Sequence, residues 1–148
     1  MNEKKINKYF MPYQRRAIYS NERMVLWEKS IRIGATYAMA FRAVRRRILG
    51  LGDYLHTSVN ERNALSFVSQ CKKFCEIFKV TAEEIDEFSA YNPLTDRQES
   101  AFQIVFPNKK SIKAFSSNPD ALRGEGGEVG IDELSSHRDP DEMIKAAG

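Results

Sequence analysis

The apolar run Met24-Val25-Leu26 leads into Trp27-Glu28-Lys29-Ser30-Ile31-Arg32-Ile33-Gly34-Ala35-Thr36, and the residues that follow are amphipathic. A strand, a tight loop ending in Gly-x-Thr and then a helix is the layout of a phosphate-binding loop. This layout constrains the fold because each part has a physical job. The first N–H groups of a helix have no intrahelical partner and carry the positive end of the helix dipole. Gly34 lets that backbone approach a phosphate closely. The Thr36 hydroxyl, in the first helical turn, is placed to ligate Mg²⁺. The usual lysine before the Ser/Thr is replaced by Ala35.

Near the other end, Glu128-Val129-Gly130-Ile131-Asp132-Glu133 reads as a short apolar strand closing on two adjacent carboxylates. In nucleotide hydrolases with such a loop, the first acid binds Mg²⁺ and the second polarises the attacking water. Adjacent residues at a strand end point to opposite faces, so the two acids can take different roles. The plainer alternative is a surface Asp-Glu pair. Loop and acids together, in this order, suit the carboxyl edge of an open α/β sheet, where ligands bind.

The remaining pattern predicts an α/β chain. A helix is expected over 13–20, started by Pro12, a strand over 24–27 and a helix over 36–49. Tyr37, Phe41, Val44 and Ile48 give that last helix a buried stripe. A second strand over 54–59 is followed by a helix to about Lys79, capped by Asn60. Its apolar side carries Ala64, Phe67, Val68, Cys71, Phe74, Cys75 and Phe78. Segment 81–97 is acidic and then turn-rich, with Asn92-Pro93 as a breaker, and reads as a short helix plus an exposed loop. Residues 101–106 and 111–115 alternate around Pro107-Asn108-Lys109-Lys110 as a hairpin-like pair. Asp139-Pro140 starts a last helix through Ala147. Strands alternating with helices imply a mainly parallel sheet covered on both faces.

With 148 residues, 42% hydrophobic and 29% charged, the chain fits one domain with a real core. No run approaches the ~18 apolar residues of a membrane span, and residues 1–8 lack an apolar signal region. A cytoplasmic protein that does not enter membranes is expected. The net charge of +3 permits nucleic-acid binding without demanding it. Cys71 and Cys75 read as reduced structural thiols.

Lys29 to Thr36 resembles the deviant phosphate loop of large terminase subunits from Mu-like phages and prophages. So do Ala121-Leu122-Arg123-Gly124-Glu125-Gly126-Gly127, Ile131-Asp132-Glu133 and His137-Arg138-Asp139-Pro140 in the tail. Pro12-Tyr13-Gln14-Arg15 resembles the adenine-recognising glutamine motif that precedes the loop in these motors. The resemblance implies a P-loop NTPase fold of recombinase/helicase type in an ATP-driven DNA-packaging motor. Large terminases join an N-terminal ATPase domain to a C-terminal nuclease domain of ribonuclease H type. Residues 1–148 are then expected to be a single, partial ATPase domain without the nuclease: a truncated piece or a broken prophage gene.

The resemblance also implies ATP and Mg²⁺ as cofactors. Tyr13 and Gln14 would meet the base, and Lys29, Ser30, Arg32, Ile33, Gly34, Ala35 and Thr36 would form the phosphate loop. Thr36 and Asp132 would hold the metal, and Glu133 and Arg123 would be catalytic. Lys29 and Arg32 stand in for the missing lysine, and Ile31 occupies a position where this branch commonly shows a second arginine. Expected partners are double-stranded DNA, the small terminase subunit, the portal and further copies of the chain in a ring.

Each candidate has a structural alternative. Gln14 either binds adenine or is a solvated helix residue, and Tyr13 either stacks or packs. Thr36 is a metal ligand or a helix-starting threonine. Lys29 and Arg32 clamp phosphate or form an exposed basic pair, and Arg123 is an arginine finger or a structural residue. His137 is a nucleotide sensor or a helix-cap neighbour, and Ser58 and Asn60 are DNA-facing or capping. Arg42, Arg45, Arg46 and Arg47 read first as a solvated face and second as a DNA-phosphate patch. Three functions follow: a packaging ATPase, a catalytically silent fragment that binds nucleotide weakly or only assembles with partners, and a helicase-type DNA-dependent ATPase.

Overall fold

The computed structural model describes residues 8–28, 32–79, 84–92, 97–123 and 126–148. Pro12, fixed at the φ that a first turn needs, opens helix α1 (Pro12–Tyr19). Helix α2 (Ala35–Ile48) starts from Gly34, whose φ of 74° is left-handed. Strand β1 (Tyr54–Ser58) is buried throughout. Asn60 then caps α3 (Glu61–Phe78) by accepting from the Asn63 N–H at 2.9 Å. Strands β2 (Glu84–Asn92), β3 (Arg97–Val105) and β4 (Ser111–Ser116) follow. A short helix α4 (Pro119–Leu122), strand β5 (Glu128–Ile131), a 3₁₀ turn (Leu134–Ser136) and helix α5 (Pro140–Ala147) complete the order.

The five strands form one sheet in the order β2-β3-β4-β1-β5. Neighbouring residues of β1 enter different cores, as the period-two pleat requires. Tyr54 joins Phe41, Val44, Phe67, Phe74, Ile104 and Ile112 beneath α1, α2 and α3. Leu55 joins Phe115, Leu122 and Met143 beneath α4 and α5. Cys71 and Cys75 are buried free thiols, and burial raises both pKa values, that of Cys75 to about 11. Among the described residues, no helix is long and apolar enough to cross a membrane.

Several expectations are corrected. The sheet is mixed rather than mainly parallel: β1 runs parallel to β4 and β5, while β2–β3 and β3–β4 are antiparallel. Segment 24–27 is not a strand. Met24, Val25 and Leu26 are 79%, 48% and 85% exposed. Only Trp27 is half-buried, set edge-on to Tyr13 with ring centroids 6.0 Å apart. A strand needs a ladder partner for its N–H and C=O groups, and no strand of the described sheet pairs with this segment. Where a helix is expected, residues 84–92 form β2, and β3 begins at Arg97. Residues 81–83 and 93–96, which hold the rest of the expected helix and loop, lie outside the described residues. Strands β2 and β3 pair from Glu84↔Val105 to Asn92↔Arg97. Acidic composition masked the β-forming Ile85, Phe88 and Tyr91, and cross-strand pairing overrides weak local preference. Pro93 lies outside the described residues.

Helix α2 also departs from its expected faces. Tyr37 is exposed and Ile48 only half-buried, whereas Arg47 is fully buried. The arginine cluster is not a solvated face, because three of its members converge on Glu128 at the start of β5. Arg42 Nε lies 2.7 Å from Oε1, and Arg46 Nε and Arg47 Nη2 lie 2.9 and 3.1 Å from Oε2. Arg42 Nη1 also donates to the carbonyls of Ala17, Ile18 and Ser20 at 2.9, 3.0 and 2.7 Å, closing the C-terminal end of α1. Arg45 instead lies over the Tyr19 ring. Burial lowers the Arg47 pKa against the pull of Glu128. Burial alone would raise Glu128, but Arg42, Arg46 and Arg47 outweigh it and hold the carboxyl below its ordinary value.

Removing the acid would leave Arg47 buried without its counter-charge. Glu128→Gln should therefore destabilise the chain by on the order of 3 kcal/mol in urea unfolding at neutral pH. The depressed pKa sets the sign of the pH dependence. The contribution is fully present above the unfolded-state value of about 4.3 and is lost as pH falls through the lower folded-state value. The stability gap between wild type and Glu128→Gln should close in that acidic window; a gap independent of pH would contradict the assignment.

Candidate functional site

The turn after β5, the loop and first turn of α2 and a stripe of α3 surround a cavity of about 570 Å³, a size typical of small-molecule sites. Arg32, Ile33, Gly34, Ala35, Thr36 and Tyr37 line one side, Asp132 and Glu133 a second, and Asn63, Ser66 and Gln70 a third.

The loop is held from behind. Tyr13 Oη donates to the Ile33 carbonyl at 3.0 Å. Gln14 Nε2 donates to the carbonyls of Ile33 and Gly34 at 3.0 and 3.2 Å, while its Oε1 accepts from the Met11 N–H at 2.8 Å. Both ends of the Gln14 amide are thus engaged within the protein, and neither Tyr13 nor Gln14 lines the cavity. The φ of 74° at Gly34 favours glycine, and a Cβ there would sit 2.7 Å from Gln14 Nε2 and displace the amide that holds the loop. No side chain caps the start of α2, whose first-turn N–H groups have no intrahelical acceptor.

On the cavity wall, Thr36 Oγ1 donates to Asp132 Oδ2 at 2.6 Å, a contact between residues 96 positions apart. Asp132 is buried, and its N–H donates to the Thr57 carbonyl at 3.0 Å. Strand β5 ends at Ile131, so strand alternation does not separate the two acids as expected. Glu133 instead takes a left-handed conformation, φ 54°, is exposed and turns the chain into the 3₁₀ segment. Both acids face the same cavity. Arg32 is left-handed too, φ 62°. Such backbone is costly for residues with a Cβ and gathers at functional sites.

Two histidines sit close to this acid. His137 is buried, and its Nε2 donates to the Asp132 carbonyl at 2.9 Å while Nδ1 lies 2.8 Å from Ser117 Oγ. It buttresses the turn rather than lining the cavity. His56 stacks on Phe67 with ring centroids 3.5 Å apart, and its Nε2 lies 3.0 Å from Ser58 Oγ. Burial above all, with His137 adding and Asp132 opposing, lowers its pKa to about 3, so the ring is neutral at neutral pH. Ser58 is therefore a buried partner of His56, and Asn60 a helix cap.

Other sequence candidates lie elsewhere. Arg123 pairs with Asp120 and Glu142, tying α4 to α5, and is absent from the cavity wall. Lys29, Ser30 and Ile31 lie outside the described residues, as do Gly124 and Glu125. Ala35 is buried and supplies no cation. Asn63, Ser66 and Gln70 were missed from sequence, although their spacing marks a polar stripe flanking the buried face of α3. Among the described residues, no group of three or more His, Cys, Asp or Glu is placed to hold a metal. The donor set at the site is the Thr36 hydroxyl and the Asp132 carboxylate, hard oxygens of the kind Mg²⁺ takes alongside water and phosphate.

No family model matches the chain, and no solved structure matches it. Two curated relatives do. The probable terminase large subunit gp28 of Escherichia phage Mu is 32% identical over 144 residues, covering 93% of this chain and 26% of that protein. The Mu-like prophage FluMu protein gp28 of Haemophilus influenzae is 33% identical over 145 residues, covering 95% of this chain and 28% of that protein. The chain thus spans about a quarter of the length of these relatives. Over that span, the chain is homologous to gp28 of Mu-like phage and prophage, a protein named in phage Mu as a probable terminase large subunit.

Proposed function

We propose that this chain is the ATP-binding part, of P-loop NTPase type, of a phage terminase large subunit, acting with Mg²⁺ in packaging double-stranded DNA. The observation that carries the reading is the 2.6 Å contact between Thr36 Oγ1 and Asp132 Oδ2 in the cavity at the start of α2. It joins a first-turn hydroxyl to a strand-end carboxylate, the pair that holds Mg²⁺ in nucleotide hydrolases with this loop.

In this reading the uncapped N–H groups of α2 bind phosphate oxygens, and Arg32, a cation lining the cavity, neutralises part of their charge. Thr36 and Asp132 would hold Mg²⁺, which would supply charge neutralisation to the phosphates. Glu133, beside Asp132 and exposed to the cavity, orients a water and accepts its proton. The water oxygen bonds to the γ-phosphorus as the bond to the bridging oxygen of the β-phosphate breaks, and ADP leaves with that electron pair. The small terminase subunit, the portal and neighbouring copies of the chain are the proposed partners. A second reading, a fragment that binds nucleotide weakly without turnover, is favoured by Ala35 and by the engaged Gln14 amide.

Calorimetry with Mg-ATP tests the site. Thr36→Ala and Asp132→Ala should each weaken binding by about tenfold or more, the scale of a lost charge-assisted contact. Unchanged affinity in both would refute the metal assignment. Glu133→Gln should keep binding while phosphate release falls by on the order of 10²-fold or more; a wild type that binds without turnover selects the second reading. Arg32→Ala should weaken nucleotide binding more than Lys29→Ala, and equal affinities across wild type and both variants would remove the assigned role of Arg32.

A further inference from the structure

We infer that the face of α3 carrying Asn63, Ser66 and Gln70 contacts the terminal phosphate of a bound nucleoside triphosphate and distinguishes it from the diphosphate. The inference rests on the nucleotide-binding reading above.

Positions 63, 66 and 70 are spaced by three and four, so they lie along one stripe of the helix. The stripe lines the same cavity as the phosphate loop and the two acids. Its position is fixed by the other side of α3, where Ala64, Phe67, Val68, Cys71 and Phe74 are buried in the core. Phe67 is stacked on His56, and Phe74 packs on Tyr37 with ring centroids 4.8 Å apart. Rotating α3 would expose that face, so the polar stripe is presented rigidly to the cavity.

The chemistry of the three walls differs. The start of α2 and Arg32 form the cationic wall, suited to the phosphates nearest the loop. Asp132 and Glu133 form an anionic wall, which repels phosphate oxygens wherever no metal intervenes. The α3 wall is neutral and rich in donors: two amides and a hydroxyl. Neutral donors bind phosphate oxygens without cancelling the charge of the acids. Polar groups lining a site also discriminate strongly between a ligand that fills them and one that does not. With the loop taking one end of the polyphosphate, the α3 wall is, among the described lining residues, the neutral polar surface available to the other end.

The test is calorimetry on the whole chain with Mg²⁺ and either ADP or the β,γ-imido analogue of ATP. The Asn63→Ala/Gln70→Ala double variant should bind the triphosphate analogue about tenfold more weakly, the effect of one or two lost neutral hydrogen bonds. Its affinity for ADP should be unchanged. Gln70→Glu, which sets a carboxylate against the terminal phosphate, should widen that selective loss. Circular dichroism checks that α3 persists in each variant. Equal weakening toward both nucleotides, or no weakening, overturns the inference while leaving the nucleotide site intact. A wild type that binds neither nucleotide overturns the parent reading, and this one with it.

Discussion

Helix α2 and strand β5 are fastened to each other at both ends, and the site exists because of that double attachment. At one end Thr36 meets Asp132; at the other Arg42, Arg46 and Arg47 meet Glu128. The two elements run in opposite directions, so the start of the helix lies against the end of the strand. Arg42 extends the attachment to α1 by binding its last carbonyls, and α1 in turn holds the loop through Tyr13 and Gln14. Burying these charges is expensive, and one carboxylate shared among three guanidinium groups offsets the cost only if the geometry is kept. The arrangement therefore favours a fixed register of helix against strand over raw stability.

That register has chemical consequences. Asp132 is buried and supported from behind by His137, so its carboxylate is placed by the turn and not by a mobile side chain. Glu133, one residue later, gains its access to the cavity from a left-handed backbone. Strain at Glu133 and Arg32 lies on either side of the cavity, held there by the surrounding contacts. The steric room is equally specific: a Cβ on Gly130 would run into the Tyr54 hydroxyl and Met39, so β5 approaches the core closely only because that position is bare.

Helix α3 was legible because it buries one stripe at 3.6-residue spacing and starts at Asn60; α2 was legible in extent, from Gly34 onward, but not in the face it buries. The β3–β4 hairpin was legible because its alternation and its turn residues agree. Strand β2 was not, since its acidic residues point to helix or loop and only the ladder with β3 reveals it. The apolar triplet Met24-Val25-Leu26 misled in the opposite way: its composition suits a strand, yet it has no ladder partner among the described strands. For the site, the order of loop and acids was readable. The roles of Gln14 as a loop fastener and of Arg123 as an α4–α5 tie were not, because each depends on which acceptor lies nearby.

The sequence by itself determined the apolar stripe of α3, the extents of α2 and α3, the glycine before α2 and the chemical types available at the cavity. Periodicity, glycine's freedom and side-chain chemistry are local properties. Only the tertiary structure decided that four arginines on one helix are not a solvated face, that β2 is a strand, and that Asn63, Ser66 and Gln70 share a cavity with Asp132 and Glu133. Those outcomes depend on partners far away in the chain, such as Glu128 for Arg47 at a separation of 81 residues. A charge is stable in the interior only opposite its counter-charge, and sequence spacing does not say where that counter-charge will be.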